Sequence, residues 1–187
     1  MLFSIGLCAT VCAQTGIYMT YDDFKAGKLI KSDDNKIDIK IKHEVALKVG
    51  GEKKEYQTKD FFAMLWDGEL YRFSPTSVGN IYLKLTTVSD NYALWGYSET
   101  RSYSGGSHSN SVIYYVSKGL GGKMTDISTN GQLKALEGQS DFKDLVDCIK
   151  KGKKLALMHP LMMAAGECIY ADPTYKKDPK SVVPAIK

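Results

Sequence analysis

The chain has 187 residues, with 25 Lys+Arg against 21 Asp+Glu and a formal net charge of +4. At 43% hydrophobic and 25% charged, it has the make-up of one folded domain with a sizeable core. That excludes wholesale disorder, collagen-like repeats and a multi-span membrane protein.

Apart from Arg72 and Arg101 the basic residues are lysines, scattered among acids as in Lys40, Lys42 and Glu44. Nucleic-acid binding needs a concentrated basic face, and none is evident. Planar guanidinium, the better group for bidentate phosphate recognition, is scarce.

Residues 1–13, MLFSIGLCATVCA, carry no charged side chain. They read as a signal peptide: a short apolar region ending in a small-residue site formed by Val11 and Ala13. Cleavage is expected between Ala13 and Gln14. The stretch is too short for a bilayer span, which needs about 20 residues, and no later run serves better. The usual basic n-region is absent, so the α-amino group supplies that charge. The alternative reading is a buried N-terminal strand or helix. Leu7 before Cys8 and Val11 before Cys12 disfavour a lipoprotein signal. Cys148 and Cys168 remain after cleavage, an even number in an oxidising compartment. A bridge between them would close a loop of about 20 residues and stabilise by about 3 kcal/mol. Two separate reduced thiols are the competing reading.

The mature chain opens with Gly16-Ile-Tyr-Met-Thr-Tyr-Asp-Asp-Phe24. Thr20 suits an N-cap, Asp22 and Asp23 suit the first turn of a short helix, and Gly27 suits its end. Ile37, Ile39 and Ile41 alternate with Asp38, Lys40 and Lys42, the period of a half-buried strand. Gly50-Gly51 marks a turn. The apolar runs Phe61–Trp66 and Glu69–Phe73 flank Asp67-Gly68, which predicts a hairpin with positive φ at both turn residues. Ile81–Val88 and Tyr92–Tyr97 predict a second hairpin. Val112–Val116 and Met124–Ile127 predict a third pair, joined through Gly119–Gly122. Residues 98–111, rich in Ser, Gly and Asn, predict a long exposed loop.

Beyond about residue 128 the character becomes helical. Ser140–Gly152 has Ser140 as N-cap, acids in the first turn, and Phe142, Leu145, Val146 and Ile149 at helical spacing. Lys150, Lys151 and Gly152 close it. Leu155–Ala165 is apolar all round and should be buried, with Pro160 breaking it or starting a new turn. The expected organisation is a signal peptide at 1–13 and a single domain over 14–171, β-rich at 35–128 and helical at 129–169. A flexible tail is expected at 172–187. The fold class is α+β: six to eight strands in a mainly antiparallel sheet or small barrel, with C-terminal helices.

The leader ending in Cys-Ala-Gln and the Gly16–Phe24 opening resemble a loose group of exported, uncharacterised Bacteroidota proteins. In these a signal peptide precedes a Gly-Ile-Tyr-x-Thr-x-x-Asp-Phe-like opening, a β-rich body and a C-terminal helical part. The aromatic run around Asp67-Gly68 and the Thr125–Leu136 stretch look similar too. The resemblance implies export and this architecture, and carries no catalytic residues over. The Ser/Gly segment at 98–111 and the methionine-rich Leu155–Ala165 segment depart from it.

His43, His108 and His159 lie far apart in the chain, with no partner at metal-ligand spacing. Gly105-Gly-Ser-His-Ser109 is only superficially a nucleophile elbow, and a Cys–His pair with His159 has no supporting motif. Gly119-Leu-Gly-Gly-Lys123 lacks both the upstream Gly and the following Ser or Thr of a phosphate loop. Asp22-Asp23 and Asp33-Asp34 are followed by no calcium-loop pattern. Trp66, Trp95, Tyr97, Arg101, Tyr103 and His108 are the candidate binding residues. Trp66 and Trp95 could join a sugar platform, although strand aromatics more often fill a core.

The expectation is a non-catalytic exported module, periplasmic or extracellular, with a protein or glycan ligand and no cofactor, metal or nucleic acid. The alternative is a small extracytoplasmic hydrolase whose site forms only in the fold, with His108 or His159 as base. A third option is a subunit of an envelope assembly that uses an exposed sheet edge.

Overall fold

An eight-stranded antiparallel sheet carries the structure, a computed structural model that describes residues 14–40, 43–73, 81–102, 108–127, 134, 136–152 and 160–186. Its strands are β1 (Gly16–Tyr18), β2 (Ile30–Lys31), β6 (Ala63–Trp66), β7 (Glu69–Phe73), β8 (Tyr82–Val88), β9 (Tyr92–Ser102), β10 (His108–Lys118) and β11 (Thr125–Asp126). They lie in the order β11-β10-β9-β8-β7-β6-β1-β2. The sheet is open, with β11 and β2 at its edges, so the α+β architecture takes the sheet form rather than the barrel. A second, three-stranded sheet is formed by β3 (Asp38–Lys40), β4 (Glu44–Val49) and β5 (Glu52–Gln57). The helices are α1 (Tyr21–Lys25), α2 (Lys143–Gly152) and α3 (Pro160–Tyr170).

Strand alternation sends neighbouring side chains to opposite faces, and each face has its own cover. Cross-strand register aligns Met64, Tyr71, Lys84, Gly96 and Tyr114 in one row on one face. At one end of that face Tyr92, Leu94 and Val116 pack against Phe142, Leu145, Val146, Ile149, Ala165 and Ile169 of the helical part. At the other end Ile17 and Met64 pack against Val45 and Leu47 of β4. The opposite face presents Ala63, Leu65, Leu83, Leu85, Trp95 and Tyr115. These are covered by Phe24 of α1, by Met124, and by Val182, Val183 and Ile186 near the end of the chain.

Local chemistry sets several junctions. Thr20 caps α1 as expected: its hydroxyl accepts from the Asp23 N–H at 3.0 Å, and the Asp23 carboxylate accepts the Thr20 N–H at 3.1 Å. Asp67 and Gly68 have φ of 52° and 74°, the doubly positive turn expected between β6 and β7. Gly27 is irreplaceable for two reasons. Its φ is +69°, and a Cβ there would lie 2.2 Å from the Ala185 carbonyl oxygen.

The structure corrects the sequence reading at five places. Most of the predicted 98–111 loop is strand: β9 and β10 stay paired out to Ser102 and His108, because ladder hydrogen bonds are made by backbone and tolerate a run of Ser, Thr and Asn. Residues 103–107 lie outside the described residues. The β-rich part begins at Gly16, since β1 inserts between β6 and β2. Ser140 is not an N-cap: Gln139 occupies that position, and Ser140–Phe142 form a 3₁₀ turn leading into α2. Pro160 starts α3, one of the two roles expected of it, but Met163 in the first turn is 50% exposed rather than buried. Residues 155–159 lie outside the described set.

The expected flexible tail is instead docked. The Lys176 N–H donates to the Val88 carbonyl at 2.9 Å, and Asp178 caps a 3₁₀ turn at Pro179–Val182. Three apolar residues placed over a sheet face are enough to hold a segment that is otherwise polar. Asp172 fastens its beginning. One carboxylate oxygen accepts from the Thr174 N–H and hydroxyl at 2.9 and 2.6 Å, the other from the Asn91 amide at 3.0 Å. Burial pushes this carboxyl up, but the hydrogen bonds from Thr174, Asn91 and Ser89 outweigh it and hold the group at about 2. A carboxyl depressed in the folded state stabilises above its unfolded pKa and loses that contribution as pH falls through the folded value. Acid titration followed by circular dichroism should therefore show Asp172→Ala to be about 1 kcal/mol less stable at neutral pH. The gap should close between about pH 4 and pH 2.

Tyr18 is 0% exposed, and its hydroxyl has no hydrogen-bond partner among the described residues. Burial pushes that phenol up to about 12. A buried hydroxyl without a partner costs about 1–3 kcal/mol. Tyr18→Phe is expected to raise stability by about 1 kcal/mol in urea denaturation.

Candidate functional site

Of the residues chosen from sequence, the side chains of Trp66, Trp95 and Tyr97 are described. Trp95 is 0% exposed. It is core, which corrects its place as a binding candidate: its indole N–H donates to Ser117 Oγ at 2.9 Å, and Leu83 and Leu85 share its cluster. Trp66 is half-buried on the opposite face, among Tyr71 and Tyr82 at ring separations of 6.1 and 6.2 Å. Tyr97 is half-buried and meets Tyr82 edge-on at 6.2 Å. These rings pack on one another across strands and border the apolar layer, the core role open to them from the start. Arg101 lies in β9 and His108 in β10, paired across the hairpin with Ser109 and Ser102. Tyr103 lies outside the described residues, as does His159. His43 occupies a turn with φ of 57°.

The acidic pairs do structural work. Asp23 caps α1, Asp33 accepts the Gly51 N–H at 2.8 Å, and Asp34 accepts from Ser32 and Lys36. No group of three His, Cys, Asp or Glu side chains is placed to hold a metal among the described residues. A disulfide joins Cys148 of α2 to Cys168 of α3.

One surface that the sequence left unread is a groove between α3 and the sheet. It has a volume of about 470 Å³ and is lined by Thr86, Thr87, Leu94, Tyr114, Met163, Gly166, Glu167, Tyr170 and Tyr175. Helical spacing puts Met163, Gly166, Glu167 and Tyr170 on one face of α3. Their apolar neighbours Ala164, Ala165 and Ile169 turn into the core. Tyr170 is 67% exposed and lies 4.6 Å, ring to ring, from Tyr175 of the docked terminal segment.

Gly96 shapes the sheet side of this region. A Cβ there would lie 2.8 Å from the Tyr114 ring and 3.3 Å from Thr86 Cγ2. The missing side chain lets the Tyr114 ring lie down over the sheet beside Thr86. Burial pushes the Tyr114 phenol up from its ordinary value. The Thr86 hydroxyl donates to the Leu94 carbonyl at 2.9 Å, which commits its proton and leaves its lone pairs. One sequence signal could have pointed here: a glycine inside an aromatic strand, Trp95-Gly96-Tyr97, marks a close approach.

The arrangement is suited to binding. It combines apolar walls, three tyrosines and one carboxylate, in the size range of small-molecule sites, roughly 300–1,000 Å³. The disulfide and the docked tail fix the two elements that bear Tyr170 and Tyr175. Compared with protein-family models, curated proteins and solved structures, the chain finds no match.

Proposed function

We propose that the protein is an exported, non-catalytic binding module of the cell envelope and that the groove beside α3 is its contact surface. The observation that carries the binding reading is the groove itself. It gathers large side chains, Met163 and Tyr170, at 50% and 67% exposure beside polar groups around one concave surface, the lining of a small-molecule site. Export is supported by the apolar leader and by the Cys148–Cys168 bridge, since disulfides persist in oxidising compartments. The same leader, with the Gly16–Phe24 opening, supports a place among the exported Bacteroidota-type proteins that it resembles. The groove's size favours a small ligand over part of a larger glycan or protein.

Two measurements test this. Cell fractionation with N-terminal mass spectrometry on protein from its native host should find an extracytoplasmic species beginning at Gln14. A cytosolic species that retains Met1 overturns export. A panel of ester, glycoside and peptide substrates should give no turnover. Sustained hydrolysis, lost in His108→Ala, overturns the non-catalytic reading.

A further inference from the structure

We propose that the groove recognises an organic ammonium ion, a quaternary or multiply alkylated amine, through its tyrosine faces and the Glu167 carboxylate. This rests on the groove being a binding site and names the class of ligand it takes.

Glu167 is the one charged side chain among the described residues that line the groove. It forms no ion pair or side-chain hydrogen bond among the described residues, and its backbone carbonyl accepts the Ala171 N–H at 2.9 Å. Elsewhere Asp22, Asp38, Glu55, Glu69, Asp90, Glu137 and Asp147 each face a lysine; Glu167 is among the acids that do not, and it is the one placed in the groove. Lys176, the basic residue next to Tyr175 in the chain, is turned away onto Asp90 at 3.1 Å.

Among the described lining residues the one charged group is a carboxylate, and the ring faces and the Thr86 oxygen add negative density beside the donors that the phenols and Thr87 supply. Aromatic faces carry negative quadrupole density. Tyr114, Tyr170 and Tyr175 supply the rings, and Met163 adds a polarizable thioether. The Thr86 hydroxyl offers lone pairs, because its proton is spent on the Leu94 carbonyl. An anion would meet the carboxylate and the ring faces together. A purely apolar ligand would cover Glu167 without compensating it, at a desolvation cost. A bare ammonium is strongly hydrated. Alkyl groups on the nitrogen weaken that hydration and give the apolar walls something to bury. Such a cation over tyrosine faces is a favourable cation–π arrangement, strengthened by partial removal from water.

The test uses the whole chain purified with its disulfide intact. Isothermal titration with benzyltrimethylammonium is compared with its neutral isostere, neopentylbenzene, and with maltotriose as a glycan probe. Amide NMR shifts of residues 163–175 report the location. Saturable binding of the cation is expected, at least about tenfold tighter than the neutral isostere. Glu167→Gln should weaken it about fivefold or more, and Tyr170→Ala about tenfold. Both side chains are exposed, so both variants should fold as the wild type does, which circular dichroism checks. Equal affinity for the cation and the neutral isostere, or an unchanged affinity in Glu167→Gln, overturns ammonium recognition while the groove remains a binding site. Glycan binding alone at residues 163–175 does the same. No probe shifting these residues overturns both the inference and the groove as the contact surface.

Discussion

Arg72→Ala is expected to lower stability by about 3 kcal/mol, which for a domain of this size shifts the melting temperature by about 6–12 °C. Arg72 rises from β7 into the face covered by α1 and the terminal segment. Its guanidinium lies 4.9 Å from the Phe62 ring centroid and 5.5 Å from that of Trp95. One of its terminal nitrogens donates to the carbonyls of Leu120 and Gly122, at 3.1 and 2.8 Å. Burial lowers its pKa to about 10, so the group stays charged at neutral pH. Alanine removes two charge-assisted hydrogen bonds, each worth about 1.5–3 kcal/mol, and the stacking between two rings. Relief of the guanidinium's desolvation offsets part of that loss. Arg72→Lys should recover little, because a compact ammonium cannot both lie flat between rings and reach the two carbonyls. Scanning calorimetry of the two variants decides it. A melting temperature within 2 °C of wild type for Arg72→Ala would mean that the 118–124 turn holds its place unaided.

The second large effect concerns sulfur. Replacing Cys148 and Cys168 together with alanine is expected to cost about 3 kcal/mol, the loop-closure entropy returned to the unfolded chain. The bridge closes a loop over a sequence separation of 20 with a Cα–Cα distance of 6.0 Å. In urea the midpoint should fall while the slope rises, because an uncrosslinked denatured chain exposes more surface. The same variant should lose order at α3 first. Hydrogen exchange would register this as faster exchange over 160–170 than over β9 and β10. Equal stability with and without the bridge would show that α3 is held by its Ala165 and Ile169 packing alone.

Much of the core was legible because it repeats locally. The Asp67-Gly68 turn states its φ requirement in two residues, and the Phe142, Leu145, Val146 and Ile149 stripe states a helical face in eight. All four residues of that stripe are buried. β1 was missed because three residues carry no period, and its partner β6 lies far along the chain. The terminal segment was misread because its few apolar residues gave no sign of the face waiting for them. The groove was illegible for a related reason. Its lining comes from β8, β9, β10, α3 and the segment after it, and each tyrosine looks in isolation like any strand or helix aromatic. Trp95 shows the converse error: a tryptophan near a Ser/Gly-rich stretch invites a binding role, yet its indole is spent on Ser117.

The docking of residues 182–186 over Leu85, Trp95 and Tyr115 bears on how the molecule is made. A ribosome delivers the sheet long before it delivers that cover. Until that segment is in place the sheet carries an uncapped oily surface, open to chaperones and to other copies of itself. Versions that stop before Val182 would keep that face bare, so they should accumulate as insoluble material although every strand is still encoded.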